Sequence, residues 1–335
     1  VRSFVSDPGS TPGISTCEEA RFAEAETGLP FAPLTLICYD GRVMSSSNSL
    51  PLPHPVPDFG HELTVAITLA RQAGEIVKTF YEVPPTVRWK DPSEPVTEAD
   101  RAANAYLVRQ FSLAFPRYGV LAEESKDDLS RLSKHRVWIV DPLDGTAEFI
   151  AHNGEFCIMI GLAVDGNAVV GVVYQPIDDV LYAAALGSGA FVEEFGDRHP
   201  LSVSREVDSR RFRVVVSRSH RVPLIDAIIK TMQPWKERSI GSVGLKIGLI
   251  ARGQAEFYVH PNAGTKEWDT CAPEVIVREA GGAMTDCWNR PLRYNQRDVV
   301  RHYGVLASNG TAHAQLSAQV AHVLDEAGVE PDFGF

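Results

Sequence analysis

The sequence lacks the patterns that would point to redox, zinc or membrane chemistry. Its five cysteines, Cys17, Cys38, Cys157, Cys271 and Cys287, are odd in number and form no C-x-x-C. Neither a disulfide framework nor a structural zinc site is indicated, and a reducing, cytoplasmic setting is the expectation that follows. None of the ten histidines falls in an H-E-x-x-H pattern, which sets aside the helical zinc-protease arrangement. No apolar run reaches the length of about 18 residues that a membrane-spanning helix needs. Positive charge is in deficit, since 32 Lys and Arg face 43 Asp and Glu for a formal net charge of −11. A protein that tracks nucleic-acid phosphates would carry a basic face, so nucleic acid is not an expected partner. A small anionic substrate stays open, because bound metal or local cations can reverse the sign of a single site.

What is present reads as a globular chain. With 335 residues, 44% of them hydrophobic and 22% charged, there is material for one large domain or two intimately packed ones. Residues 1–57 stand apart: "SDPGSTPGIST", "MSSSNS" and "LPLPHPVPD" are rich in Ser, Pro and Gly and hold no sustained period. That is the composition of a disordered or weakly ordered extension. The segment is acidic for a transit peptide, and its apolar piece "PFAPLTLICY" is short and far in for a signal peptide. The first methionine is Met44, and the segment reads as an over-long translation start or a dispensable extension. Two subdomains are expected beyond it, an α+β half over 58–205 and an α/β half over 206–335.

Hydrophobic period places the elements. Leu63, Ala66, Ile67, Ala70, Ile76, Val77 and Phe80 recur at helical spacing in "ELTVAITLARQAGEIVKTFYE". "PVTEADRAANAYLVRQFSLAFP" predicts a second helix, with Thr97 as its cap and an end before Pro116. "GVLAEES", "RVWIVD", "FCIMIGLAV", "AVVGVVYQP" and "VLYAAAL" read as strands, with Asp165-Gly166 as a tight turn. After about Ser204, the strands "RFRVVVS", "AEFYVH" and "YGVLASNG" alternate with four helices. These are "RVPLIDAIIKTM", "GSVGLKIGLIARGQ", "WDTCAPEVIVREAGG" (closed by Gly281-Gly282) and "TAHAQLSAQVAHVLDEA". There is no internal repeat.

The stretch "VWIVDPLDGTAEF" carries the first chemical signal. Asp141 ends an apolar strand that Pro142 is expected to stop; Asp144 follows, and Gly145 and Thr146 open a helix. Gly145 lets backbone approach a ligand closely, and the first N–H groups of a helix suit an anion. Two carboxylates aimed at one point repel each other unless a cation or a shared proton lies between them. Oxygen ligands without His or Cys suit Mg²⁺, and metal beside a phosphate-binding turn means phosphoryl chemistry. An isolated D-x-x-D is more often a strand–turn–helix joint with an Asp cap. Other acids shift that balance: Glu123-Glu124 closing "GVLAEES", Asp269 in "EWDTCAPE" with Pro273 in that helix's first turn, and Asp100 early in the second helix.

Taken together, "VTEADRAAN", "AEES", "VDPLDGTAEF" and "EWDTCAPEVIVREAGG" resemble, in order, the signature segments of the inositol monophosphatase superfamily of Mg²⁺-dependent, lithium-sensitive phosphatases. The likeness runs from about His61 to about Ser308. It implies an α/β fold, a layered α-β-α-β-α sandwich with the active site between its halves. It implies roughly two or three Mg²⁺ ions held by Glu123, Asp141, the Leu143 carbonyl, Asp144 and Asp269. Thr146 and Asp100 take the role of orienting and deprotonating the attacking water, and the phosphate is expected on the N–H groups of Gly145 and Thr146. One metal would lower the pKa of that water and another would stabilise the leaving oxygen, with in-line attack and no phosphoenzyme.

Within the superfamily, "NGEFCIMIGL", "GVVYQPIDDVLYAA", "VVSRSH" and "SIGSVGLKIGLIARGQAEFYVHP" look most like the 3'(2'),5'-bisphosphate nucleotidase branch (CysQ type). That likeness implies removal of the 3'-phosphate of adenosine 3',5'-bisphosphate, a by-product of sulfate assimilation, with its sulfated form a further candidate. An inositol monophosphatase or a histidinol-phosphate phosphatase is the alternative. A second phosphate needs cations or helix ends of its own. "SRSH" offers Ser219 and His220, and "GSVGLK" offers Ser242, Gly244 and Lys246. Alone, His220 reads as a surface turn histidine and Lys246 as a solvated helix lysine. The expected partner is a small phosphate ester, and the composition leaves room for a homodimer.

Overall fold

Residues 58–91 and 94–329 are described by the computed structural model, so the extension read over residues 1–57 lies outside the described residues. The described residues belong to one compact unit. Its first helices are α1 (Gly60–Tyr81) and α2 (Glu98–Ala114), with a short hairpin of β1 (Val87–Asp91) and β2 (Glu94–Thr97) between them. A seven-stranded sheet follows: β3 (Gly119–Ala122), β4 (Arg136–Asp144), β5 (Cys157–Val164), β6 (Asn167–Gln175), β7 (Val180–Ala185), β8 (Ala190–Glu194) and β9 (Asp197–Pro200). The short helix α3 (Thr146–Ile150) interrupts it after β4. β3 pairs with β4 in parallel, and from β4 to β9 the sheet is an antiparallel meander.

The second sheet has the order β11-β10-β12-β14-β13, built from β10 (Arg213–Ser217), β11 (Lys236–Ile240), β12 (Phe257–His260), β13 (Ala283–Thr285) and β14 (Val305–Ser308). Helices α4 (Pro223–Met232), α5 (Val243–Ala251), α6 (Glu267–Glu279) and α7 (His313–Glu326) alternate with these strands.

Strand alternation turns this order into layers. Trp138 and Val140 of β4 point to a core shared with α1 and α2, while Val137 and Ile139 point to a core shared with α5 and α6. In the second sheet, Val215 and Tyr258 join that same middle core, and Val214, Val216 and Phe257 face α4 and α7. The result is the expected α-β-α-β-α sandwich. Asp165 and Gly166 both have positive φ (48° and 77°) and join β5 to β6, as the twist of a two-residue hairpin demands.

Several local expectations are corrected. β4 does not stop at Asp141. It runs to Asp144, because its pairing with β5 slips between Asp141↔Met159 and Asp144↔Cys157, and Pro142, which has no N–H to give, falls inside that bulge. Pro273 lies in the interior of α6 rather than in its first turn, leaving the Asp269 carbonyl without its helical donor. Helix α5 starts at Val243, and the "GS" before it is a turn. β1, β2, β8, β9, β11 and β13 have no counterpart in the sequence reading. Most are short or exposed, and β11 ("KERSI") is a charged edge strand with no hydrophobic alternation to betray it.

Candidate active site

Sheet register brings the first two acids together. Ala122 lies opposite Val140 in the parallel β3–β4 pair, and the Glu123 N–H then donates to the Val140 carbonyl at 3.1 Å. Glu123 and Asp141 therefore leave the sheet at the same end. Beyond the bulge, Asp144 meets the start of α5: the Ser242 hydroxyl donates to Asp144 Oδ2 at 2.5 Å and the Gly244 N–H at 3.0 Å.

Helix N-termini supply the remaining acids. Asp100 is the third residue of α2, and its Oδ2 accepts from the Thr97 N–H at 2.8 Å in a reciprocal cap with Thr97. Its other oxygen, Oδ1, accepts from the Thr146 hydroxyl at 2.9 Å, which joins α2 to the start of α3. Asp269, in the first turn of α6, accepts from the Lys266 N–H at 2.6 Å. Asp141 Oδ1 accepts from the Leu143 N–H at 2.9 Å. Positive helix ends thus offset part of the negative charge gathered here.

The offset is incomplete. Burial, and after it the charges of Glu123, Asp144 and Asp269, hold the Asp141 carboxyl well above the usual carboxylate range. Burial, then Glu123 and Asp144, do the same to Asp269. Burial also raises Asp144, against the opposing pull of Lys246, Ser242 and the Gly244 N–H. Asp100 is raised by burial, with the bonds from Thr97 and Thr146 opposing. One cation reaches in from the hairpin: Lys90 donates to Glu123 Oε1 at 2.8 Å and also to Glu124. Burial lifts Glu124 to about 7 despite that bond.

Among the described residues, no three His, Cys, Asp or Glu side chains close into a ready metal cage. Asp100, Asp141, Asp144 and Asp269 each rest on an N–H or hydroxyl donor, and Glu123 on Lys90. The donor set nevertheless fits a hard divalent cation. It is oxygen only, it excludes His and Cys, and its members raise one another's proton affinity for want of positive charge.

The comparisons with known proteins point the same way. The sequence profile described as "Inositol monophosphatase family" matches residues 60–326. The chain belongs to the inositol monophosphatase family. It is similar to the 3'(2'),5'-bisphosphate nucleotidase CysQ of Escherichia coli (strain K12), 39% identical over 244 residues that cover 72% of this chain and 96% of that protein. Among solved structures it is similar to CysQ from Bacteroides thetaiotaomicron (TM-score 0.65, 32% identity, 75% of this chain and 98% of that one). It is also similar to an IMPase from Thermotoga maritima (TM-score 0.69, 27% identity, 79% and 99%).

In this inositol monophosphatase-family chain, the residues assigned from sequence to a second phosphate divide into two groups. Ser219 and His220 are exposed on the turn after β10, with the Ser219 hydroxyl 3.3 Å from His220 Nδ1 and donating to Glu148 Oε1 at 2.8 Å. Ser242 and Gly244 instead spend their donors on Asp144. Lys246 is no solvated lysine: it is 2% exposed, donates to the Gly241 carbonyl at 2.5 Å, and lies 5.2 Å from the centre of the Tyr258 ring. Burial lowers it to about 8, against the charges of Asp144 and Glu148. The cause is the position of α5, which is packed between both sheets and gives its lysine no route to solvent.

The sequence reading passed over Lys90, Glu148, Glu155, Arg218 and His260. Lys90 sits in a stretch without period, so nothing marked it. His260 ends a strand next to "SRSH" in space but 40 residues away in sequence, by the difference of the two residue numbers. Glu148 and Glu155 lie within the quoted "GTAEF" and "NGEF" segments and were legible as acids close to the phosphate turn.

Proposed function

We propose that this chain is a Mg²⁺-dependent phosphomonoester hydrolase that removes the 3'-phosphate of adenosine 3',5'-bisphosphate. The observation that carries the chemistry is the 2.9 Å bond from the Thr146 hydroxyl to Asp100 Oδ1 beside the carboxylate field. A Thr hydroxyl that donates to Asp100 has lone pairs left to accept from a water. As that water's oxygen bonds to phosphorus, its proton passes to Thr146 while the Thr146 proton passes to Asp100 Oδ1. The raised proton affinity of Asp100 suits it to end that relay. The bond from phosphorus to the 3' oxygen breaks, and the leaving alkoxide is protonated from solvent. The N–H groups of Gly145 and Thr146 hold the phosphoryl oxygens; φ of +103° at Gly145 sets the turn that carries them. Mg²⁺ bound by Glu123, Asp141, the Leu143 carbonyl, Asp144 and Asp269 would supply the positive charge that phosphoryl transfer needs.

Two things support the nucleotide substrate. Relatives 32% and 39% identical to this chain are named as 3'(2'),5'-bisphosphate nucleotidases. The Ser219 hydroxyl and the imidazoles of His220 and His260 gather at the ends of β10 and β12, with Lys246 adding charge from beneath, and a second phosphate would be read there. The second reading, hydrolysis of inositol monophosphate, is favoured by the fold likeness to IMPases. The test is phosphate release from adenosine 3',5'-bisphosphate with Mg²⁺ and with chelator, with the nucleoside product identified by chromatography. Adenosine 5'-phosphate, formed only with Mg²⁺, is expected; release of the 5'-phosphate, or turnover in chelator, would contradict the proposal.

A further inference from the structure

Three turns have to keep a fixed spacing if one substrate is to be read at two points: the phosphate turn at Gly145–Thr146, the turn of Ser219 and His220, and the turn before α5. One residue touches all three. The Glu155 carboxylate binds Arg218, which directly precedes Ser219, through both Nε (2.9 Å) and Nη2 (2.7 Å). Its Oε2 also accepts from the Gly241 N–H at 2.7 Å. Arg218 is tied down further by donating to the Ser239 carbonyl at 3.0 Å, so the pair braces both turns against each other. The backbone of Glu155 faces the third turn. Its carbonyl oxygen lies 3.0 Å from where a Cβ on Gly145 would stand, and 2.5 Å from where one on Gly241 would stand. Glycine at both positions lets the two turns close on the Glu155 peptide from either side.

From this we infer that Glu155 is a positioning residue that sets the span between the reacting phosphate and the groups that read the rest of the ester. It touches no reacting atom. A two-bond carboxylate–guanidinium fork fixes direction as well as distance, which a single surface ion pair does not. Glu148, whose carboxylate takes the Ser219 hydroxyl, lies against the same glycine, its Cγ 2.5 Å from a Cβ on Gly241. The contact therefore runs from the 148–155 segment to both far turns. The inference rests on the nucleotidase reading only for the identity of the ester, and not for the existence of the clasp.

The experiment compares Glu155→Gln with wild type on adenosine 3',5'-bisphosphate and on p-nitrophenyl phosphate, a small ester without a second anchoring group. The variant keeps the shape of the side chain and loses the charge of the fork. Its kcat/KM for the bisphosphate is expected to fall by about tenfold to a hundredfold, mainly through KM, since misplaced anchoring groups cost that much. Turnover of p-nitrophenyl phosphate should stay within about twofold, as Thr146, Asp100 and the metal ligands are untouched. Adding Arg218→Gln should cost little more, because both changes break the same fork. Equal losses on both esters, or none on either, would overturn the inference. If wild type prefers another ester over p-nitrophenyl phosphate, the nucleotidase reading falls and the same ratio is read on that ester.

Discussion

Asp141 is the acid on which the neighbouring negative charge converges, and its substitution separates chemistry from folding. Asp141→Asn keeps the bond from the Leu143 N–H and removes one charge from a site that has too much of it. The variant should therefore stay folded and lose at least about a hundredfold in turnover, because electrostatic stabilisation is usually the largest catalytic contribution. Near-normal turnover in a folded variant would contradict its proposed role as a metal ligand. The proposed relay makes Asp100 and Thr146 one unit, so Asp100→Asn and Thr146→Val should each cost a large factor and the double variant little more than either. Losses that multiply would show that the two do not share one water. Stability carries its own signature at His260, which burial, and after it the neighbouring His220 and Lys246, lower to about 4. Above about pH 6.5 the residue is neutral folded and unfolded, and contributes nothing. As pH falls from there towards 4 the unfolded chain gains a proton that the folded one refuses, and stability is lost at about 1.4 kcal/mol per pH unit. His260→Asn should lose less melting temperature than wild type between pH 7 and pH 5 (about the upper half of that window); an equal loss would place the acid sensitivity elsewhere.

At the scale of elements, legibility followed burial. Helices α1, α2, α6 and α7 and strands β4 to β7 carry one or two apolar faces, and their apolar runs, with cap and turn residues, located them. β1 and β11 were missed because their residues are largely exposed, and β2, although Val96 and Thr97 are buried, because it is too short to show a period. The bulge at Pro142 was missed for a different reason: proline argues against a strand unless the partner strand is known. Site residues divide in the same way. The acids of "VDPLDGT" announce themselves by chemistry, whereas the Thr146–Asp100 contact came from family resemblance and not from spacing. The burial of Lys246 depends on α5 being covered on both sides. That packing is testable at Gly244, where a Cβ would stand 2.7 Å from Cys157 Sγ and 2.9 Å from both Met159 Sδ and Val173 Cγ1. Gly244→Ala should destabilise by about 1–3 kcal/mol, as overpacking does, and loosen the start of α5 from Asp144. An unchanged denaturation midpoint would show that α5 has room to move.

For the whole molecule, the family profile starts at residue 60, beyond the Ser- and Pro-rich segment. Removal of residues 1–57 is expected to leave melting temperature and catalytic constants nearly unchanged, and a loss of several degrees would show that the segment contributes to the folded state. No described helix is long and apolar enough to cross a membrane. The layered fold presents the acids at one end of β3 and β4 and the Ser219–His220 turn across from them on the second sheet, so the proposed reading of the substrate draws on both sheets together. The most direct test is therefore kcat/KM for adenosine 3',5'-bisphosphate against inositol 1-phosphate and histidinol phosphate, each with saturating Mg²⁺. Charge-assisted contacts to a second phosphate contribute about 1.5–3 kcal/mol each, so a preference for the bisphosphate on the order of a hundredfold or more is expected. Equal values for the three esters, or a preference for either monophosphate, would contradict the nucleotidase account.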